Sequence, residues 1–294
     1  MLEISSLDWN LRAKEHYEKL EGITEAFLTR RGRGQKHAVH DFLFVYYPFS
    51  PTKLRQWIPS ITEQLIIENQ DLEKYPWLNE QWFKMDGNLL GLKSEWITPS
   101  TLKAASFIEN LCDTISNRPM RFNCFGLHEW AMVYKASAET IRHQGHKLRL
   151  PQNELDSFVA SQMICCSHYD AFRFFTEEAR PLNKLNPLAT TKVEMEQGGC
   201  LHANMDLYKW AGRLWPWIGS DFIAKAFFLT LEARVLDMRA SPYDLSSKGY
   251  LPICIETKEG REQYQKEQQQ LALRAMPLRQ ELSTFCKLLR TYEL

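Results

Sequence analysis

Residues 198–210 read GGCLHANMDLYKW, from Gly198 to Trp210. Two glycines followed by a polar-apolar mixture predict a helix that starts just after the glycine pair. In that helix His202 and Asp206 stand four residues apart and share a face. The stretch also opens a run of three predicted helices, over 200–213, 221–239 and 259–292. Pro277 should kink or split the last of them. These helices decide the fold class: mainly α (α+β), one domain over 1–294, with a small β portion.

An almost identical frame occurs upstream in QKHAVHDFLFVYY, residues 35–47. His37-Ala-x-x-Asp41 matches His202-Ala-x-x-Asp206. Periodicity does not decide between helix and buried strand for 37–47. Before it, residues 7–31 predict a long amphipathic helix, opened by Ser6 and ended by Gly32 and Gly34. The basic link RRGRGQK (30–36) reads as a solvated loop. One short helical turn is expected within 48–60, and an irregular β region over 61–97. Asp86-Gly87 is a hairpin signal there.

Thr98-Pro99 opens a helix over the next eighteen or so residues. A further helix follows Gly126 in FGLHEWAMVYKAS (125–137). Residues 146–161 predict a short strand and a short helix. QMICCSHYDAFRFF (162–175) is rich in β-prone and aromatic residues and reads as a strand over about 163–175. Residues 177–199 form a long loop, a length that often accompanies function.

The chain has 294 residues, 44% apolar and 24% charged, with 36 basic and 36 acidic side chains. A zero net charge gives no global attraction to nucleic acid or anionic membranes. No apolar run reaches membrane-spanning length, and the N-terminus is polar, so no membrane partner and no secretory signal are expected. Seven cysteines, odd in number and without a CxxC pair, read as reduced thiols in the cytoplasm.

Four segments each join a histidine to a nearby carboxylate. His37 with Asp41 and His202 with Asp206 share faces if helical. His168 and Asp170 share a face of the predicted strand, together with Cys166 and Phe172. His128 and Glu129 are adjacent, so on a helix they diverge by about 100°. Several imidazoles with carboxylates suit Fe(II), Mn(II) or Zn(II), singly or as a dinuclear pair in a helical body. HExxH, the EF-hand loop, GxSxG, GxxxxGK[ST] and GxGxxG are absent. Cys165, Cys166 and Cys200 are conceivable nucleophiles, but read as structural thiols. His16, His143 and His146 sit in polar contexts and read as surface residues. Arg173 either contacts substrate or pairs with Asp170 or Glu177. Arg239 either grips an anion or fixes its turn through Asp244.

The segments KHAVHDFLFVYYPFSPTKLRQW, FNCFGLHEWAMVY, CSHYDAFRFF, GCLHANMDLYKW and LDMRASPYDL resemble signature blocks of a bacterial family that carries the label 3-methyladenine DNA glycosylase. The resemblance spans roughly residues 30–280. Its first block resembles K-H-P-V-x-D-F, which maps onto His37 and Asp41, with Ala38 at the proline and His40 outside the pattern. His128, Glu129, His168, Asp170, His202 and Asp206 fall inside the other blocks. The resemblance implies excision of alkylated bases and a nucleobase-like substrate. A glycosylase must flip a base and stabilise an oxocarbenium-like sugar with a carboxylate. The glycine-rich hairpin that grips DNA phosphates in helix-hairpin-helix glycosylases is not visible.

The leading expectation is therefore a metal-dependent enzyme with a buried site that activates water or dioxygen. His37, Asp41, His128, His168 and His202 are the expected ligands of a divalent metal. Glu129, Asp170 and Asp206 are the expected catalytic carboxylates. Tyr46, Trp130, Tyr169 and Phe172 are expected to line a pocket for a small planar substrate, with Arg173 and Arg239 contacting it. One alternative is a metal-free DNA N-glycosylase using Asp170 or Asp206, for which DNA is the partner. Another is a non-catalytic binding protein whose His–carboxylate pairs hold the core.

Overall fold

The computed structural model describes residues 1–47, 49–137 and 146–292. Pro48 and His143 lie outside them. Ser5, rather than Ser6, caps the first helix: its Oγ accepts the Asp8 amide at 3.2 Å. The elements in order are β1 (Leu2–Ile4), α1 (Ser6–Gly32), α2 (Phe42–Val45), α3 (Pro51–Arg55), β2 (Glu63–Ile66), α4 (Asn69–Lys74), β3 (Phe83–Asp86), β4 (Leu89–Leu92), α5 (Pro99–Asn117), α6 (Leu127–Ala131), α7 (Gln152–Ala160), α8 (Tyr169–Phe172), α9 (Lys192–Met195), α10 (Leu201–Arg213), α11 (Ser220–Arg239) and α12 (Lys258–Arg290). The fold is mainly α with one small mixed sheet. Among the described residues no helix is long and apolar enough to cross a membrane.

The chain, expected to be a single domain, divides into two compact units. Each is discontinuous in sequence. The first comprises Met1–Glu109, Tyr208–Phe228 and Glu281–Leu294. Its sheet has the order β1-β2-β4-β3, with β1 parallel to β2 and the other pairs antiparallel. The hairpin signal at Asp86-Gly87 is realised: Asp86 faces Leu89, and Gly87 takes the left-handed φ of 60° that a tight turn needs. Helix α1 buries Trp9, Ala13, His16, Leu20, Thr24 and Phe27, spaced three and four apart as one helical face requires. Trp9 Nε1 donates to the Ile66 carbonyl at 3.0 Å, tying α1 to β2. His16 is therefore no surface residue. It is buried on that face, with Nε2 2.8 Å from the Leu54 carbonyl.

The second unit comprises Asn110–Leu207 and Leu229–Gln280. Two sequence expectations are corrected here. Residues 163–175 form no strand. Ile164 makes an isolated bridge to Asn183, and α8 follows from Tyr169. The Asn183 side chain replaces a ladder: its Oδ1 accepts the Cys166 amide at 2.7 Å, and its Nδ2 donates to the Cys166 carbonyl at 2.9 Å. A side chain that satisfies both backbone groups leaves no call for a neighbouring strand. The short strand expected near residue 148 is likewise one bridge, Leu148 to Tyr243. Pro277 does not split α12, which is continuous from Lys258 to Arg290. The long 177–199 segment carries two 3-10 turns and α9.

Candidate metal centre

Backbone shape in the second unit places each polar side chain. Phe125 and Gly126 both adopt left-handed φ, 48° and 70°, so the chain turns abruptly into α6. A Cβ on Gly126 would press on Ala240 at 3.3 Å. Trp130 is fully buried, and its Nε1 donates to the Ala240 carbonyl at 2.8 Å. This anchor fixes the rotation of α6 and with it the direction of His128. The bend before α10 is equally constrained. A Cβ on Gly199 would lie 2.4 Å from the Arg121 carbonyl oxygen. Gln197 Oε1 accepts the amides of Arg121 at 2.9 Å and Gly199 at 2.7 Å. Asn204 Nδ2 donates to the Gly198 carbonyl at 3.0 Å.

Three of the four expected imidazoles meet here. The His128 and His202 rings lie edge to face with centroids 4.5 Å apart, and the His168 and His202 rings are 5.4 Å apart. Two groups of potential ligands result: His128, His202 and Asp237, and His168, Asp170 and Asp206. In each, one donor atom per residue lies within 4.8 Å of the others.

In the first group, His128 Nε2 is 2.9 Å from Asp237 Oδ1. Both atoms are buried, yet neither makes a hydrogen bond. The ring N–H direction misses the oxygen, so the contact is close without being aligned. Arg234 Nη1 donates to Asp237 Oδ2 at 2.8 Å and to Glu129 Oε1 at 2.9 Å. Burial alone would raise the Asp237 pKa, but the neighbouring His128, His202 and Arg234 charges hold it well below the usual carboxylate range. Burial works against charging His128, and Asp237 more than offsets it, so its pKa is raised. Burial, then repulsion from His128, pushes His202 down to about 3. At neutral pH the group thus holds an ionised Asp237 and a neutral His202, both in ligand form, whereas His128 keeps its proton beside Asp237 and must release it to bind a metal.

In the second group, His168 Nε2 is 3.3 Å from Asp206 Oδ2 and 3.5 Å from Glu196 Oε1. Lys192 Nζ sits 2.7 Å from Asp170 Oδ2 and 3.6 Å from Glu196 Oε1. Arg173 Nε is 3.5 Å from Asp170 Oδ1. His168 Nδ1 is buried without a hydrogen bond.

A cavity of about 290 Å³ reaches the two imidazoles of the first group. His128, His202, Cys124, Cys165, Cys166 and Cys200 contribute to its wall. Cys124 Sγ is 3.9 Å from His128 Nδ1. Burial raises the pKa of Cys165, Cys166 and Cys200, which keeps those thiols protonated and weakly nucleophilic.

No family model, curated protein or solved structure matches this chain.

The remaining expected site residues have other engagements. His37 and Asp41 belong to the first unit. They occupy a turn rather than a helix. Asp41 Oδ2 accepts the His37 amide at 2.7 Å, and its Oδ1 takes Arg30 Nη2 at 2.7 Å. His37 Nδ1 accepts the His40 amide at 3.1 Å, and the two rings stack. Those engagements close a turn and leave the frame unlike its downstream twin. Tyr46, also in the first unit, stacks on Phe42 at 4.9 Å. Trp130 fills the core rather than a pocket wall. Phe172 is buried against Phe175. Tyr169 lies beneath Lys192, 5.6 Å from ring centre to Nζ. Arg173 is exposed and turned to Asp170. Arg239 fixes its turn, though through the Leu251 carbonyl at 3.1 Å and Glu267 at 3.0 Å instead of Asp244.

Asp237, Glu196, Lys192, Tyr264 and Gln268 are site residues that sequence reasoning missed. Asp237 left a trace: with Arg234 it makes an i,i+3 charge pair across the apolar Val235-Leu236 step of α11. Glu196 and Lys192 sit in the long loop, whose sequence says nothing about where it folds back.

Proposed function

We propose that this chain is a metal-dependent enzyme whose centre is His128, His202 and Asp237. The observation that carries the proposal is the 2.9 Å approach of two buried atoms, His128 Nε2 and Asp237 Oδ1, that do not hydrogen-bond each other. Two ligands about 2.1 Å from one ion at right angles stand roughly 3 Å apart, so this spacing suits convergence on a cation. Two imidazoles and one carboxylate leave coordination positions open, as catalytic Zn(II) and non-haem Fe(II) sites do. A bound divalent metal supplies a Lewis acid that lowers the pKa of water or binds dioxygen. Arg234 orients the carboxylate, and Glu129 balances that arginine rather than meeting substrate. His168, Asp170, Asp206 and Glu196 add a second set of donors beside the first. The cavity admits a small molecule.

The glycosylase alternative asks for a carboxylate open to a flipped nucleotide. Asp206 is buried against His168, and Asp170 is held by Lys192. The geometry therefore favours the metal reading. Elemental analysis of protein purified without added metal tests it. About one Fe, Mn or Zn per chain, with a lower melting temperature after chelation, is the expected result. Less than about 0.2 metal per chain with unchanged melting contradicts it. Chelator-resistant release of 3-methyladenine from alkylated DNA would instead support the glycosylase.

A further inference from the structure

Gln268 is 1% exposed and lines the cavity. Its Nε2 donates to the Gly199 carbonyl at 2.6 Å. A carbonyl only accepts, so this bond fixes which end of the amide is which. Oε1 is thereby committed to the other side, where it is buried and has no hydrogen-bond partner. Buried acceptors are nearly always satisfied, so an unpartnered one on a residue that lines a cavity calls for a donor. The charged groups on the same wall, besides the two imidazoles, are Arg118, Arg121 and Glu194. Arg118 is braced by the Val193 carbonyl at 3.0 Å and by the Glu196 carbonyl. Arg121 is exposed at the rim. Two guanidiniums against one carboxylate favour an anion. Leu185, Met195, Leu201 and Tyr264 make the rest of the surface suited to an apolar body.

We infer that the cavity receives a small carboxylate-bearing molecule with an N–H donor, the N–H meeting Gln268 Oε1 and the anion meeting Arg121. This deepens the metal reading by naming the substrate class, and its test is arranged so that the two fail separately. Matched acids serve as probes: pyrrole-2-carboxylate against furan-2-carboxylate, and indole-5-carboxylate against benzofuran-5-carboxylate. Dissociation constants are read by NMR titration on chelator-treated and on metal-loaded protein. In at least one pair the N–H member should bind tenfold more tightly or better in both preparations, and Gln268→Met should abolish that ratio. Arg121→Gln, a change at an exposed position, should weaken the acids at least fivefold and leave pyrrole-2-carboxamide unaffected. Equal affinities within both pairs, a preference that survives Gln268→Met, or no binding at millimolar concentration overturns the inference. Selectivity in a protein that takes up no metal keeps the inference and removes the metal reading. Metal uptake without selectivity does the reverse.

Discussion

His128 Nε2 and Asp237 Oδ1 are 2.9 Å apart in a buried setting, and neither hydrogen-bonds the other. The pair attracts as ions through the His128 proton, and a metal cation between them would take that proton's place. Asp237→Asn keeps the volume and removes the charge. Bound metal in the purified variant should fall at least tenfold, measured by elemental analysis alongside wild type. Unchanged content would remove Asp237 from the centre.

Arg234 bridges Glu129 and Asp237 with all three side chains buried. Removing one partner of a buried ionic group leaves the others uncompensated, at a cost of about 3–5 kcal/mol. Arg234→Met should lose stability on that scale in urea denaturation. A loss below about 1 kcal/mol would mean the carboxylates find other partners.

The bend at Gly199 is closed by backbone, because a Cβ would stand 2.4 Å from the Arg121 carbonyl. Gly199→Ala should destabilise by about 1–3 kcal/mol, as overpacking does. Gly22→Ala is the contrast: nothing lies within 4 Å of that position on α1. There alanine should stabilise by about 0.5–1 kcal/mol. Equal effects at both sites would argue against the tight bend.

His16 gives the pH dependence of the first unit. Burial lowers its pKa below 6.5, against the favourable bond to the Leu54 carbonyl. The folded state thus binds fewer protons there than the unfolded state. Stability from this group is complete above about pH 6.5 and declines as pH falls through the folded value. Urea midpoints should drop between pH 7.5 and pH 5, and His16→Gln should flatten part of that drop. An identical slope in wild type and variant would contradict this.

The helices were legible where period and punctuation agreed. Gly32, Pro99 and the 198–199 glycine pair mark real boundaries. The hairpin at Asp86-Gly87 was written in its turn residues. The 163–175 stretch misled because aromatic and β-branched residues signal burial as much as strand, and the Asn183 side chain took the backbone bonds a neighbour would have made. The repeated H-A-x-x-D frame shows the same limit. At 202–206 it rides a helix, whereas at 37–41 Asp41 folds back on the His37 amide and closes a turn. Identical spacing cannot distinguish these, since the difference lies in what surrounds each frame. Asp237 and Gln268 were hidden for another reason. Both gain their meaning from partners more than sixty residues away, His128 and Gly199.

The most direct measurement is anomalous X-ray diffraction at the absorption edge of the metal that copurifies with the chain or is added to it. The account predicts a peak within about 2.0–2.2 Å of a nitrogen of His128, a nitrogen of His202 and an Asp237 oxygen. A metal-saturated crystal with no anomalous density there, or with density only on surface carboxylates, would contradict it.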